Sequence, residues 1–137
     1  MRKIDEIIIH CTATPEGRAV TVADIDRWHK ARGWKGIGYH YVVYLDGSVH
    51  IGRPITEAGA HCQGHNAHSI GVVYVGGLTT YGEPADTRTP AQVTALHALV
   101  RDLRKRFPQA GIHGHREFAD KACPSFDVRK WREEVSL

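Results

Sequence analysis

Several things are missing from this chain of 137 residues, and each absence excludes a class of protein. Nowhere do 18 apolar residues run together, so no segment is long enough to be read as a membrane-spanning helix. The opening Met1-Arg2-Lys3-Ile4-Asp5-Glu6 turns acidic after two basic residues and lacks a signal-peptide core and cleavage site, so cytoplasmic synthesis with no encoded exit is expected. There is no internal repeat, low-complexity tract or linker, and the length suits one domain spanning residues 1–137. Cysteine occurs three times, an odd count that argues against a disulfide framework and leaves a metal ligand or nucleophile to seek. Charge of one sign is also lacking: 18 Lys and Arg against 15 Asp and Glu give +3, short of a nucleic-acid footprint. The densest basic run, Arg101, Arg104, Lys105 and Arg106, falls at the end of a predicted helix, where cations complement the dipole on a solvated face. An apolar share of 42% and a charged share of 24% are ordinary for a globular protein and exclude wholesale disorder.

What is present alternates in period. The β-branched run from Ile4 to His10 reads as a buried strand. Thr21-Val22-Ala23-Asp24 resembles a helix-starting capping box, and Gly33 closes that helix. Tyr39–Leu45, Asp46-Gly47 and Ser48–Ile51 predict two strands joined by a tight hairpin turn. Residues 53–68 are rich in Gly and His without a period and are expected to be loop, followed by a strand from Ser69 to Val75. Thr89-Pro90-Ala91-Gln92 starts a second helix with Val93, Leu96, Val100, Leu103 and Phe107 on one face. A short strand near Ile112-His113 and a last helix capped by Asp127 complete the chain. This order predicts an α/β fold: one domain, a mixed central sheet with one hairpin, and helices covering it.

Ten histidines direct attention to metal chemistry. His10 ends the first strand, His115 follows the last, and Cys123 lies in the loop before the final helix, so all three are expected at the carboxyl edge of the sheet. Two imidazoles and a thiolate are a ligand set of the kind that holds catalytic zinc. The plainer readings, a satisfied core histidine and a small buried thiol, stay open on spacing alone. Lys121 precedes Cys123 by two residues and would share its direction in an extended loop, where its charge suits a developing oxyanion. Pro124 biases Cys123 towards extended backbone. Strand alternation would put Tyr39 and Tyr41 on one face and His40 on the other; Tyr39 is a phenol able to orient water, or equally a core aromatic. His61, Cys62, His65 and His68 form a rival cluster, but Gly64 and Asn66 oppose the helix that would gather them. No nucleophile elbow, phosphate-binding loop or dinucleotide glycine pattern occurs. A Cys-His nucleophile is disfavoured because alternation turns Cys11 away from His10, and the loops offer no obvious carboxylate pair for glycoside hydrolysis, with Glu57 and Glu117 left open.

Taken in order, His10-Cys11-Thr12-Ala13-Thr14, Trp28-His29, Gly38-Tyr39-His40-Tyr41, Asp46-Gly47, Gly52-Arg53, His65-Asn66-Ala67-His68-Ser69-Ile70-Gly71-Val72, Gly76-Gly77, His113-Gly114-His115-Arg116-Glu117 and Lys121-Ala122-Cys123-Pro124-Ser125-Phe126-Asp127 resemble the type-2 N-acetylmuramoyl-L-alanine amidases. The resemblance covers nearly the whole chain. It lies nearest the short phage lysozymes that are amidases, and peptidoglycan-recognition proteins share the fold. It implies zinc held by His10, His115 and Cys123, with His113 a decoy, and Tyr39 and Lys121 as catalytic residues. It also implies a groove for sugar or stem peptide that includes His61 and Asn66. The implied reaction is hydrolysis of the amide between N-acetylmuramic acid and L-alanine in bacterial peptidoglycan. An endolysin acting as a monomer on the wall after a holin grants access is the expected setting, without nucleic acid or membrane insertion. A cytosolic amidase recycling soluble muropeptides and a non-catalytic wall-binding module are the alternatives.

Overall fold

The computed structural model describes residues 1–137. Its centre is β1 (Glu6–Cys11), whose residues after Glu6 are all buried, as a run of three isoleucines requires. β1 pairs in parallel with β5 (Ser69–Tyr74) on one side and β7 (Gly111–Gly114) on the other. Outside β5 lie β3 (Tyr41–Val43), parallel to it, and β4 (Val49–Ile51), antiparallel to β3, giving the order β4-β3-β5-β1-β7. The sheet is therefore mixed and carries one hairpin, as expected. A separate two-stranded parallel sheet, β2 (Thr14–Pro15) with β6 (Gly77–Leu78), was not legible because two-residue strands leave no period.

Both faces are covered. Ile7, Ile9 and Cys11 pack against Leu96, Val100 and Leu103 of α2 (Pro90–Arg106) and Val128 and Trp131 of α3 (Val128–Glu134). On the opposite face Val42, Val73 and Val75 meet Ile25 of α1 (Val22–Ala31), with Val20 and Ile37 beside it. Burying each such side chain stabilises the fold by about 1.5–3 kcal/mol, enough for both faces to hold their helices. The three helix starts are those expected. Thr21 with Asp24 and Thr89 with Gln92 form reciprocal capping boxes, and the Asp127 carboxylate accepts the Lys130 N–H at 3.2 Å.

Three local expectations need correction. The strand at Tyr39 begins only at Tyr41, so alternation does not extend back to Tyr39, and the two tyrosines pack on opposite faces of the sheet. The hairpin turn is a three-residue loop, not a two-residue one: Tyr44 and Ser48 pair across it at 2.9 Å and Gly47 takes φ +84°. On α2, Val93 is 39% exposed and Gln92 is fully buried. The Gln92 amide donates to Val43 O at 3.3 Å and Val75 O at 3.0 Å, satisfying carbonyls where two strands end.

Candidate metal centre and the groove beside it

β1 delivers His10 to the α1 side of the sheet near the strand's carboxyl end, because Ile7, Ile9 and Cys11 occupy the other side. β7 leads directly into a short 3-10 turn, His115–Glu117, which brings His115 alongside, its ring centroid 4.5 Å from that of His10. The loop before α3 returns Cys123 to the same place. Its Sγ lies 3.8 Å from His10 Nδ1 and accepts the Cys11 backbone N–H at 3.2 Å. Donor atoms of His10, His115 and Cys123 all fall within 4.8 Å of one another. The Cys123–Pro124 peptide is cis.

His10 is held from behind. Its Nε2 lies 2.8 Å from His61 Nδ1, and His61 Nε2 lies 3.1 Å from Ser69 Oγ. The arrangement is self-consistent when each Nε2 carries the hydrogen: His10 donates to His61, His61 donates to Ser69, and His10 Nδ1 keeps a lone pair turned towards Cys123. Ser69 was not foreseen, since nothing about a serine opening a strand marks it as the end of such a relay. His61, expected to line the groove, does so, but it is 9% exposed and its ring nitrogens are engaged with His10 and Ser69.

The donor set suits a soft divalent cation. Burial holds His10 well below the ordinary histidine range, and burial with the charge of Lys121 lowers His115, so both imidazoles are neutral and able to ligate. The Cys11 thiol and burial push the Cys123 thiol up, so a thiolate there calls for a compensating cation. Burial and then the neighbouring Cys123 also raise the Tyr39 phenol, which keeps its proton. Tyr39 packs 5.1 Å from the His10 ring, centroid to centroid, and 5.4 Å from His29.

Tyr39, His115, Lys121, His61 and Asn66 line one cavity of about 640 Å³. Arg32 and Lys121 contribute positive charge to it, and none of its lining residues is acidic. Asn66 Oδ1 accepts the backbone N–H groups of His61 and Cys62 at 2.9 and 3.0 Å, so this side chain both shapes the wall and can offer its NH₂ to a ligand. Lys121 is exposed and sits in a bend, its N–H bonded to Ala119 O, so it does not share an extended segment with Cys123; it reaches the cavity by the turn instead.

The rival arrangements come apart. His61 joins His10, whereas His65 and His68 turn to Glu6 and Asp5. His113 pairs with Glu117 at 3.0 Å, and Glu117 also accepts the Gly114 N–H. Glu57 binds Lys35, and neither Glu57 nor Glu117 lines the cavity, so no carboxylate pair faces it.

The sequence profile of the N-acetylmuramoyl-L-alanine amidases matches residues 1–126. The chain belongs to the N-acetylmuramoyl-L-alanine amidase family. Among relatives of this family, the chain is 41% identical over 133 residues to an endolysin of Escherichia phage T7, spanning 97% of this chain and 88% of that one. It is 40% identical over 130 residues to an endolysin of Enterobacteria phage K11, spanning 95% and 86%. Among solved structures of amidases, it resembles the N-acetylmuramoyl-L-alanine amidase LysC from Clostridium intestinale, with a TM-score of 0.85 and 30% identity over 99% of this chain and 87% of that one.

Proposed function

We propose that the 137-residue amidase domain is a zinc endolysin that cleaves the amide between N-acetylmuramic acid and L-alanine in peptidoglycan. The observation that carries this reading is the convergence of His10, His115 and Cys123, with His115 among the residues that line a groove of positive charge and no carboxylate. Those three residues would hold the zinc ion, which when bound supplies Lewis acidity for the scissile carbonyl. Hydrolysis adds water across the C–N bond, placing hydroxyl on the lactyl carbonyl carbon and hydrogen on the alanine nitrogen. Tyr39 keeps its phenolic proton, so its part is to orient water or substrate by donating and accepting hydrogen bonds at Oη, not to act as a standing base. The Lys121 ammonium faces the cavity where the carbonyl oxygen gains charge, and stabilises it. The His61–Ser69 relay fixes the ring of His10, a positioning role. Arg32 and the amide of Asn66 offer contacts to the anionic, hydrogen-bonding stem peptide and glycan.

No helix of the structure is long and apolar enough to cross a membrane, and access to the wall through a holin suits the endolysin reading. A monomer suffices, because every group invoked comes from one chain. Digestion of purified peptidoglycan with and without a zinc chelator tests the reading. New free amino groups on L-alanine that vanish with chelation are expected. New reducing sugar ends, or wall binding with no cleavage, would overturn it.

A further inference from the structure

At the opposite, amino-terminal end of β1 a second group of ligands converges. His65 Nδ1 lies 2.7 Å from Glu6 Oε1. His68 Nδ1 lies 3.3 Å from that same oxygen and 2.6 Å from Asp5 Oδ1. Donor atoms of Glu6, His65 and His68 all fall within 4.8 Å of one another. Four residue steps along the strand lead from Glu6 to His10, which places this cluster about 13 Å along β1 from the first site. We propose that Glu6, His65 and His68, with Asp5 beside them, form a second binding site for a divalent transition metal of the zinc, cobalt and nickel class.

Three observations carry the proposal. The donors are two imidazoles and the Glu6 carboxylate, with the Asp5 carboxylate 2.6 Å from His68, and the paired imidazoles favour such metals over magnesium or calcium. Donors sharing a tetrahedral zinc at roughly 2.0–2.2 Å stand about 3.3–3.5 Å apart, so the three histidine–carboxylate contacts need open by less than about an ångström. The donors are also held in place. The His65 ring stacks on Phe118 with centroids 4.0 Å apart and planes 26° apart, and the Asp5 N–H bonds to His68 O at 2.9 Å. The side chains of Glu6, His65 and His68 are 16%, 26% and 39% exposed, so an ion can enter without unfolding the chain. None of the donors named is a thiol, which separates the site chemically from the His10 centre. Its effect would be a staple: the loop carrying His61 and Asn66 ends at His65–His68, and a metal there would pin that end to β1. The competing description is two histidine–carboxylate hydrogen bonds with no metal affinity.

Titration of the whole chain with Zn²⁺ and Co²⁺, followed by calorimetry and visible absorption, decides between them. Two equivalents are expected, only one of which shows a thiolate-to-cobalt charge-transfer band. His65→Ala/His68→Ala should lose the equivalent without the band and keep the other, and the surviving band reports that this variant has folded. Glu6→Gln, nearly isosteric, supplies a second arm with the same expected loss. Cys123→Ser should abolish the band yet retain one equivalent. A wild-type chain that binds a single, thiolate-ligated equivalent overturns the proposal, as does a double variant that still binds two. Loss of the band alone in the wild-type chain would count against the His10 centre and leave this site standing.

Discussion

Cys123 occupies a position that, without a cation, favours the thiol over the thiolate. The Cys11 thiol and burial favour the protonated form and outweigh the Cys11 backbone N–H at 3.2 Å and nearby Lys121, which favour the ion. A soft cation settles the balance, which a serine oxygen would do poorly. Cys123→Ser should therefore lose most of the zinc bound at this centre and nearly all turnover while circular dichroism stays native. Full activity with zinc retained would remove Cys123 from the ligand set. Lys121 differs in that it is exposed and packs into no core cluster. Lys121→Ala should bind zinc as the wild type does and turn over on the order of 10²–10³-fold more slowly, the usual cost of one oxyanion contact. Unchanged kcat would mean that another group meets the carbonyl oxygen.

At the scale of elements, the site depends on how closely β5 approaches the loop bearing His61. A Cβ added to Gly71 would stand 2.6 Å from His61 Cγ, so a side chain at this point of β5 cannot coexist with His61 in its place. Gly71→Ala should push His61 away from His10 and weaken zinc binding by roughly 10–100-fold, as loss of a ligand's supporting hydrogen bond does. Overpacking should cost about 1–3 kcal/mol of stability. Competitive zinc titration and urea unfolding measure the two effects, and wild-type zinc affinity would show that the relay is dispensable. The helices, by contrast, were legible element by element. Thr21 with Asp24, Thr89 with Gln92, and Asp127 are start signals that act within one turn, so they need no tertiary context. The hairpin was legible in kind but not in loop length, because Asp46-Gly47 serves two turn types and the cross-strand register selects between them.

For the whole molecule, two buried histidines tie stability to pH. His40 Nδ1 accepts the Gly71 N–H at 3.0 Å and His29 Nδ1 accepts the Gly38 N–H at 2.8 Å. Protonating either nitrogen would set two hydrogens face to face. Burial, followed for His29 by the charge of Arg32, lowers both groups from 6.5 to about 4 in the folded chain. The folded state therefore stays neutral at these sites while the unfolded state takes up protons. Their contribution is complete above pH 6.5, falls as the pH drops through that value, and is gone below about 4. Urea midpoints measured across this window should decline with acidification, and His40→Gln should flatten the decline. A flat wild-type profile would contradict the assignment.

Read as sequence, the chain already carries its family, its helix starts, the alternation that sends Ile7, Ile9 and Cys11 to one side of β1 and His10 to the other, and the candidate ligands His10, His115 and Cys123 that the fold brings together. These are legible because they depend on motif identity and on periods of two or 3.6 residues, which are local. Tertiary structure decided the rest: that Tyr39 and Tyr41 part to opposite faces, that His61 turns to His10 and Ser69 while His65 and His68 turn to Glu6 and Asp5, and that Gln92 replaces Val93 in the core. Each of these outcomes is set by what a distant segment presents across the sheet. A histidine in a loop without a period has no direction of its own until that partner arrives.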